Sequence, residues 1–140
     1  MCILDVIKVP AKLEYLHQCV STVSICARQQ GFDDNKIREI EISTEEALVN
    51  IFKYAYRDKC GDVRISCTLD LEATFVIEIE DSGVPFDMLN VPDRPISFDD
   101  ESSDSGGRGI FMIKTFTDNV MYRREGGKNI LTLVVRSKNE

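Results

Sequence analysis

The feature that most constrains this chain is an apolar strand that ends in an acid, a glycine and a proline. The run 75-FVIEIE-80 alternates apolar and acidic residues, a pattern typical of a β-strand with one buried face. The segment 81-DSGVPFD-87 follows at once, and its residue types are those of turns. A second glycine cluster, 106-GGRGIF-111, opens a later apolar segment. A core strand therefore carries a carboxylate at its end, and a glycine-rich segment follows it in the chain.

Alternating and helical patterns predict the remaining elements. Strands are predicted over 2–9, 62–72, 74–81, 119–125 and 129–136, and helices over 11–30, 36–57 and 108–118. This order predicts an α+β fold, a two-layer α/β sandwich in which one mixed, mostly antiparallel sheet carries helices on one face. A length of 140 residues predicts a single domain, 1–140.

The predicted helix over 36–57 has two faces. Its apolar residues recur at helical spacing, so we expect them to face the core. These residues are Ile37, Ile40, Thr44, Ala47, Leu48, Ile51 and Ala55. The opposite, polar side carries Glu46 and, one turn later, Asn50. The same polar side holds Glu39, Ser43, Lys53 and Arg57, and Asp33, Asp34 or Asn35 can cap the helix.

A long loop separates the two glycine-containing segments. Residues 82–107 show no secondary-structure period, and they include three prolines and the acidic run 99-DDESSD-104. A loop of this length is uncommon inside a compact domain and usually acts as a lid over a site or as a flexible segment. We therefore expect this loop to be either a functional lid or a flexible segment.

Composition excludes several classes of protein. The formal net charge of −7 argues against a general nucleic-acid binder, and no apolar run reaches the roughly 20 residues of a membrane helix. The N-terminal segment 1-MCILDVIKVP-10 lacks the pattern of a signal peptide, so we expect a cytoplasmic protein. The five cysteines form no CxxC pair, which favours free thiols. His17 is the single histidine, and no catalytic Ser-His-Asp or Cys-His set stands out.

The polar residues fit the chemistry of a nucleotide site. Asp81, at a strand end, can accept a hydrogen bond from an exocyclic amine such as that of adenine, and Gly83 lets a base lie against the backbone. Glycines at a helix start expose N–H groups to phosphates. Asn50 offers a hard oxygen ligand to Mg²⁺, and Glu46 can take a proton from an attacking hydroxyl. Each feature also has an ordinary explanation, as a solvated helix pair, a turn or a flexible loop end.

Taken together, these segments resemble the GHKL (Bergerat-fold) ATPases, and within them the anti-sigma-factor serine/threonine kinases of bacterial partner-switching systems. The segment 45-EEALVNIFKYAY-56 resembles the N box of that family. The resemblance implies that Glu46 is the catalytic base and that Asn50 is the Mg²⁺ ligand. Tyr56 matches the final tyrosine of the box, whereas Tyr54 stands where histidine is common.

The segment 81-DSGVPFD-87 resembles the first glycine box of the family. The resemblance implies that Asp81 binds the adenine amine and that Gly83 underlies the base. It also implies that a hydroxyl residue of the last strand touches the adenine-binding acid, and Thr132 is the match in this sequence.

The segment 106-GGRGIFMIKTFTDNVMYRREGGKNILTLVV-135 resembles the second glycine box and the strands after it. On this match Gly107 and Gly109 lie at the phosphates of the nucleotide, and Arg108 lies nearby. The long loop before them then corresponds to a lid between the base and the phosphates.

The resemblance implies a kinase that uses ATP and Mg²⁺, phosphorylates a small anti-anti-sigma partner with a STAS domain, and sequesters a sigma factor. It also makes a homodimer plausible, while no nucleic acid and no membrane are expected as partners. Two alternatives stay open from the residues alone. The chain could bind ATP and sequester a partner without phosphorylating it, or it could be a structural domain that binds no nucleotide.

Overall fold

The computed structural model describes residues 2–56, 60–90 and 106–136. The strands are β1 (Cys2–Pro10), β2 (Asp62–Leu69), β3 (Phe75–Asp81), β4 (Asn119–Glu125) and β5 (Lys128–Val135). The helices are α1 (Leu16–Gln29), α2 (Asp34–Tyr54) and α3 (Gly106–Phe116), and short 3-10 turns lie at Leu13–Tyr15 and Met88–Asn90. The predicted α+β fold and the order of its elements are confirmed.

The five strands form one sheet in the order β1-β2-β3-β5-β4. Every pairing among the described strands is antiparallel, so the expected mixed sheet is a purely antiparallel one. The two glycines of the β4–β5 turn, Gly126 and Gly127, both have positive φ, which suits a tight hairpin. The chain from β3 to β4 passes through α3, and β5 then lies between those two strands.

The core fills the space between the helices and one face of the sheet. Alternate side chains of the central strands β2, β3 and β5 point into it, and the periodic residues of α2 pack against them. The strand contribution consists of Val63, Ile65, Cys67, Phe75, Ile77, Ile79, Leu131, Leu133 and Val135. All seven residues predicted for the core face of α2 are buried.

The other face of the sheet carries charge. Glu78 and Glu80 alternate with the core residues of β3, and both form ion pairs across the sheet, Glu78 with Arg123 at 3.8 Å and Glu80 with Lys128 at 3.3 Å. The described helices therefore all lie on one side, as the sequence predicts.

The β2–β3 hairpin is shorter than predicted. The strands end at Leu69 and restart at Phe75, because Asp70 Oδ1 accepts the backbone N–H groups of Glu72 and Thr74 and so closes a wider turn. Ala73 adopts a positive φ of 60° within this turn. The local side-chain bonds compete with the strand ladder and end it early.

Two residues on the predicted polar side of α2 are buried. Ser43 is 0% exposed and Asn50 is 4% exposed. The reason is that α3 packs along this side of α2, where Lys36 Nζ donates to the carbonyl of Phe116 at 2.9 Å. The helix is therefore covered on two sides, by the sheet and by α3. Asp33 caps it by accepting from Lys36 N, and the helix ends at Tyr54, so the predicted Arg57 lies outside the described residues.

None of the described helices combines the length and the apolar composition that a membrane span requires.

Candidate functional site

Asp81 ends the core face of β3. It continues the alternation of Ile77 and Ile79 and is 3% exposed, so a carboxylate occupies the last core position of a central strand. Its Oδ1 accepts two hydrogen bonds of 2.9 Å, one from Gly83 N and one from Asn129 Nδ2. The two donors fix the orientation of the carboxylate at the C-terminal end of this central strand.

The environment of Asp81 disfavours its charge. Burial raises the pKa of this carboxyl above its ordinary value, and the hydrogen bonds from Asn129 and Gly83 oppose the rise in pKa. Nearby Arg124 acts in the same direction as these donors. Burial still disfavours the ionised carboxylate, so an additional hydrogen-bond donor from a ligand would stabilise it at this position.

Asn129 is the centre of the polar network around Asp81. It lies opposite Asp81 in the β3–β5 ladder and is 4% exposed. Besides Asp81, its Nδ2 reaches the carbonyl of Val84 at 2.8 Å, and its Oδ1 accepts from Phe86 N at 3.2 Å and from Tyr122 Oη at 2.6 Å. One amide thus joins β3, the loop after it, β4 and β5. Sequence reasoning missed this residue.

Thr132 does not take the place expected for it. It pairs with Glu78 of β3 and Met121 of β4, and it therefore points to the charged face of the sheet, opposite to Asp81. The residue of β5 that bonds Asp81 is Asn129, three positions earlier. The sequence signal for this is the alternation of Leu131 and Leu133 toward the core, which puts Asn129 on the same face as Asp81 and Thr132 on the opposite face.

Gly83 lies where the loop after β3 touches the end of α2. A Cβ at this position would lie 2.2 Å from the carbonyl oxygen of Ala55, which is closer than atoms can approach. Val84 N donates to the same oxygen at 2.8 Å, and Arg124 Nη1 donates to the carbonyl of Gly83 at 2.8 Å. The requirement for glycine comes from this contact between loop and helix, while the predicted contact with a base stays a prediction.

Asn50 and Glu46 lie one turn apart on α2. Asn50 Nδ2 donates to the backbone carbonyl of Glu46 at 2.8 Å, so the amide oxygen is the atom turned away from its own helix. The side chain of Glu46 is half-buried. The pair offers one hard oxygen ligand and one carboxylate on the side of α2 that faces α3.

The glycine cluster forms the first turn of α3. The backbone of Gly107, Arg108 and Gly109 is helical, and the helix begins at Gly106 instead of the predicted 108. The C-terminal end of α3 meets Lys36 at the start of α2, and the two helices pack side by side, so they run antiparallel. The first turn of α3 therefore lies nearer the half of α2 that carries Glu46 and Asn50.

Tyr54, which stands where the N box usually has histidine, packs on the loop after β3. Its ring lies 5.3 Å from that of Phe86, at an interplanar angle of 41°. Phe86 is in turn held through its N–H by Asn129. The predicted lid starts beyond this contact with a 3-10 turn at Met88–Asn90, and residues 91–105 lie outside the described part of the chain.

An antiparallel five-stranded sheet with three helices on one face and this polar strand end is the architecture of the histidine kinase-like ATPase domains. A family model with that description, "Histidine kinase-like ATPase domain", matches residues 9–135. The chain belongs to this family, and the resemblance seen in the sequence is confirmed.

Named relatives place the chain more narrowly. It is 30% identical over 128 residues to the serine-protein kinase RsbW of Bacillus cereus (strain AH820) and to that of Bacillus anthracis (strain A0248), and each match covers 89% of this chain and 79% of the relative. The histidine kinase domain of the blue-light activated histidine kinase from Erythrobacter litoralis EL346 superposes with a TM-score of 0.53 at 17% identity. That match covers 88% of this chain and 59% of the kinase chain, and it shows the shared fold.

Proposed function

We propose that this protein is an ATP-dependent serine/threonine protein kinase that acts as an anti-sigma factor. Its substrate is a small anti-anti-sigma protein with a STAS domain, and its second partner is a sigma factor. The observation that carries the proposal is the buried carboxylate of Asp81, which accepts two hydrogen bonds at a strand end in a chain of the histidine kinase-like ATPase family. The 30% identity to proteins named serine-protein kinases supports phosphoryl transfer to a serine hydroxyl.

Asp81 binds the amino group of adenine. Its Oδ1 already accepts from Gly83 N and Asn129 Nδ2, so Oδ2 is the oxygen that receives the amine. Because the carboxylate is held by two donors before the base arrives, little ordering is required on binding. The new hydrogen bond offsets part of the desolvation that raises the pKa of Asp81.

Asn50 holds the metal through Oδ1, since its Nδ2 donates to the carbonyl of Glu46. Mg-ATP, when bound, supplies the transferred phosphoryl group and a metal charge that neutralises the phosphates. A single amide ligand suits Mg²⁺, which keeps phosphate and water in most of its coordination positions.

Glu46 takes the proton of the attacking serine or threonine hydroxyl. Its position one turn before Asn50 puts the base on the same side of α2 as the metal ligand. The N–H groups of Gly107 and Gly109 in the first turn of α3 bind the phosphates, and Arg108 stabilises the charge that develops during transfer.

The proposed setting is the cytoplasm of a bacterial cell. Cys19, Cys26 and Cys67 are buried free thiols, which suits a reducing compartment. A homodimer is part of the proposal, and neither nucleic acid nor membrane is among the proposed partners.

A thermal-shift titration with Mg-ATP tests nucleotide binding. A ligand that binds the native state alone stabilises it by RT ln(1 + [L]/Kd), about 2.7 kcal/mol at a hundred times Kd. We expect the melting temperature to rise with ATP concentration in the presence of Mg²⁺. An unchanged melting temperature at millimolar Mg-ATP would contradict both the kinase and any other ATP-binding function.

A kinase assay with Glu46→Gln separates catalysis from binding. Loss of a general base lowers the rate by about 10²–10⁴-fold, so we expect phosphorylation of the partner to collapse while ATP still binds. Glu45→Gln is the matched control, because Glu45 is an exposed neighbour on the same helix. If the wild-type chain binds ATP and retains its partner without transferring phosphate, the protein is a sequestering module and not a kinase.

A further inference from the structure

The segment directly after α2 is linked to the ends of two strands through the phenol of Tyr56. Tyr56 Oη donates to the carbonyl of Asp62 at the start of β2, at 2.6 Å. The same oxygen accepts from Ser82 N, directly after β3, at 2.7 Å. The hydroxyl therefore links the start of β2 to the residue that follows β3, at the end of the strands where Asp81 lies.

The ring of Tyr56 has a fixed position between the helix and the sheet. A Cβ on Gly61 would lie 2.0 Å from the ring, so the turn before β2 fits over the ring only because it has glycine there. Burial raises the pKa of Tyr56, so the phenol stays protonated at neutral pH and keeps donating to Asp62. The hydroxyl can then act as donor and acceptor at once.

A second link lies two residues further along the same loop. Val84 N donates to the carbonyl of Ala55 at 2.8 Å, immediately before Tyr56 in the chain. The two links fall on either side of Gly83, whose own N–H holds the carboxylate of Asp81. The loop that positions Asp81 is thus attached on both sides of Gly83 to the two residues that follow α2.

We propose that the hydroxyl of Tyr56 is a positioning group that aligns Asp81 with the purine by holding the Asp81–Ser82 peptide beside the C-terminal end of α2. The inference rests on the proposed function, because it takes Asp81 as the acceptor of the adenine amine. Asn50 lies in the last turns of α2, and Tyr56 lies two residues beyond the end of this helix. The C-terminal end of α2 therefore connects the base end and the metal end of the site.

Tyr56→Phe tests this role, because it removes the hydroxyl and keeps the ring that fills the space beside Gly61. Calorimetric titration of the folded variant with Mg-ATP should give a Kd about fivefold higher than that of the wild type, the size of one neutral hydrogen bond. Purine riboside 5′-triphosphate lacks the 6-amino group, and its affinity should be the same for both proteins. Tyr15→Phe is the control, since Tyr15 is a partly buried tyrosine on the first 3-10 turn, and its hydroxyl is not one of the groups that bond Asp62 or Ser82.

The two nucleotides separate the possible failures. If the wild-type protein binds ATP and purine riboside triphosphate equally well, Asp81 does not recognise the amine, and the proposed function of that residue fails. If the wild type discriminates between them and Tyr56→Phe discriminates equally well, the positioning role is wrong. Equal losses for both nucleotides would also overturn it, since a purely structural hydroxyl would weaken the whole site and not the contact with the amine alone.

Discussion

The two ends of the proposed nucleotide site are built in opposite ways. At the Asp81 end, hydrogen bonds join residues that are 41 to 48 positions apart in the chain, among them Asn129 with Asp81 and Arg124 with Gly83. At the Asn50 end, the amide is oriented by the carbonyl of Glu46, four positions earlier on the same helix. One end depends on the completed sheet, and the other depends on a helix turn.

The difference separates recognition from chemistry. The base end is fixed by contacts among β3, β4, β5 and the loop at 82–86, so it is oriented before any ligand arrives. The metal end presents side chains from α2 to the first turn of α3. We expect substitutions at the base end to change stability as well as binding, and substitutions at the metal end to act mainly on nucleotide binding and catalysis.

The largest effect is expected for Gly83→Ala. The added Cβ would lie 2.2 Å from a backbone oxygen of Ala55, so loop and helix must separate. We expect the free energy of unfolding to fall by about 3 kcal/mol in chemical denaturation. Gly31→Ala is the control. Gly31 has a positive φ of +86°, which disfavours alanine, but a Cβ there would meet nothing within 4 Å. The free energy of unfolding should therefore fall by only about 1 kcal/mol. Equal losses would show that α2 does not clamp the loop.

Asp81→Asn should weaken ATP binding by about 100-fold, equivalent to about 2.7 kcal/mol, because a charged acceptor for the amine is lost. The unliganded protein should be at least as stable as the wild type near neutral pH, since burial disfavours the charge that the substitution removes. Glu80→Gln is the control, as it removes a carboxylate from the adjacent residue on the other face of the sheet. A variant that keeps wild-type affinity would remove Asp81 from the site.

A direct comparison of the two ends comes from removing one buried amide at each. Asn129→Ala removes four hydrogen bonds, those to Asp81, Val84, Phe86 and Tyr122, so the free energy of unfolding should fall by about 2 kcal/mol. Asn50→Ala removes one bond to a helix carbonyl, and the loss should be about 1 kcal/mol. Urea denaturation of both variants measures the difference. Equal losses would mean that the base end is no more dependent on its network than the metal end.

The smallest expected effect is the pH dependence of binding. Only the ionised Asp81 accepts the amine, and its pKa is raised by burial, so ATP affinity should fall by about threefold or more as the pH is lowered from neutrality toward the ordinary value of 3.8. Because the folded pKa is the higher one, the contribution of this group to stability is largest at low pH and is lost as the pH rises through the folded pKa. In Asp81→Asn both dependences should disappear, and an unchanged profile would assign them to another group.

The same contrast explains what could be predicted from the sequence. The alternation over 75–80 predicted that Asp81 ends a core strand, and helical spacing placed Glu46 one turn before Asn50, because both patterns are local. Local patterns could not show that α3 covers Asn50, nor which residue of β5 lies opposite Asp81. The register between β3 and β5 is set by the whole sheet, and for that reason Asn129 was missed and Thr132 was placed on the wrong face.

The last strand in chain order, β5, lies in the interior of the sheet and not at its edge. During synthesis, β3 therefore cannot pair with β5 until residues 128–135 have left the ribosome. The carboxylate of Asp81 lacks its amide partner for the same interval. The adenine binding that we propose for Asp81 would therefore arise in a nascent chain only after residues 128–135 have been synthesised, and nucleotide would then stabilise chains that have completed the sheet.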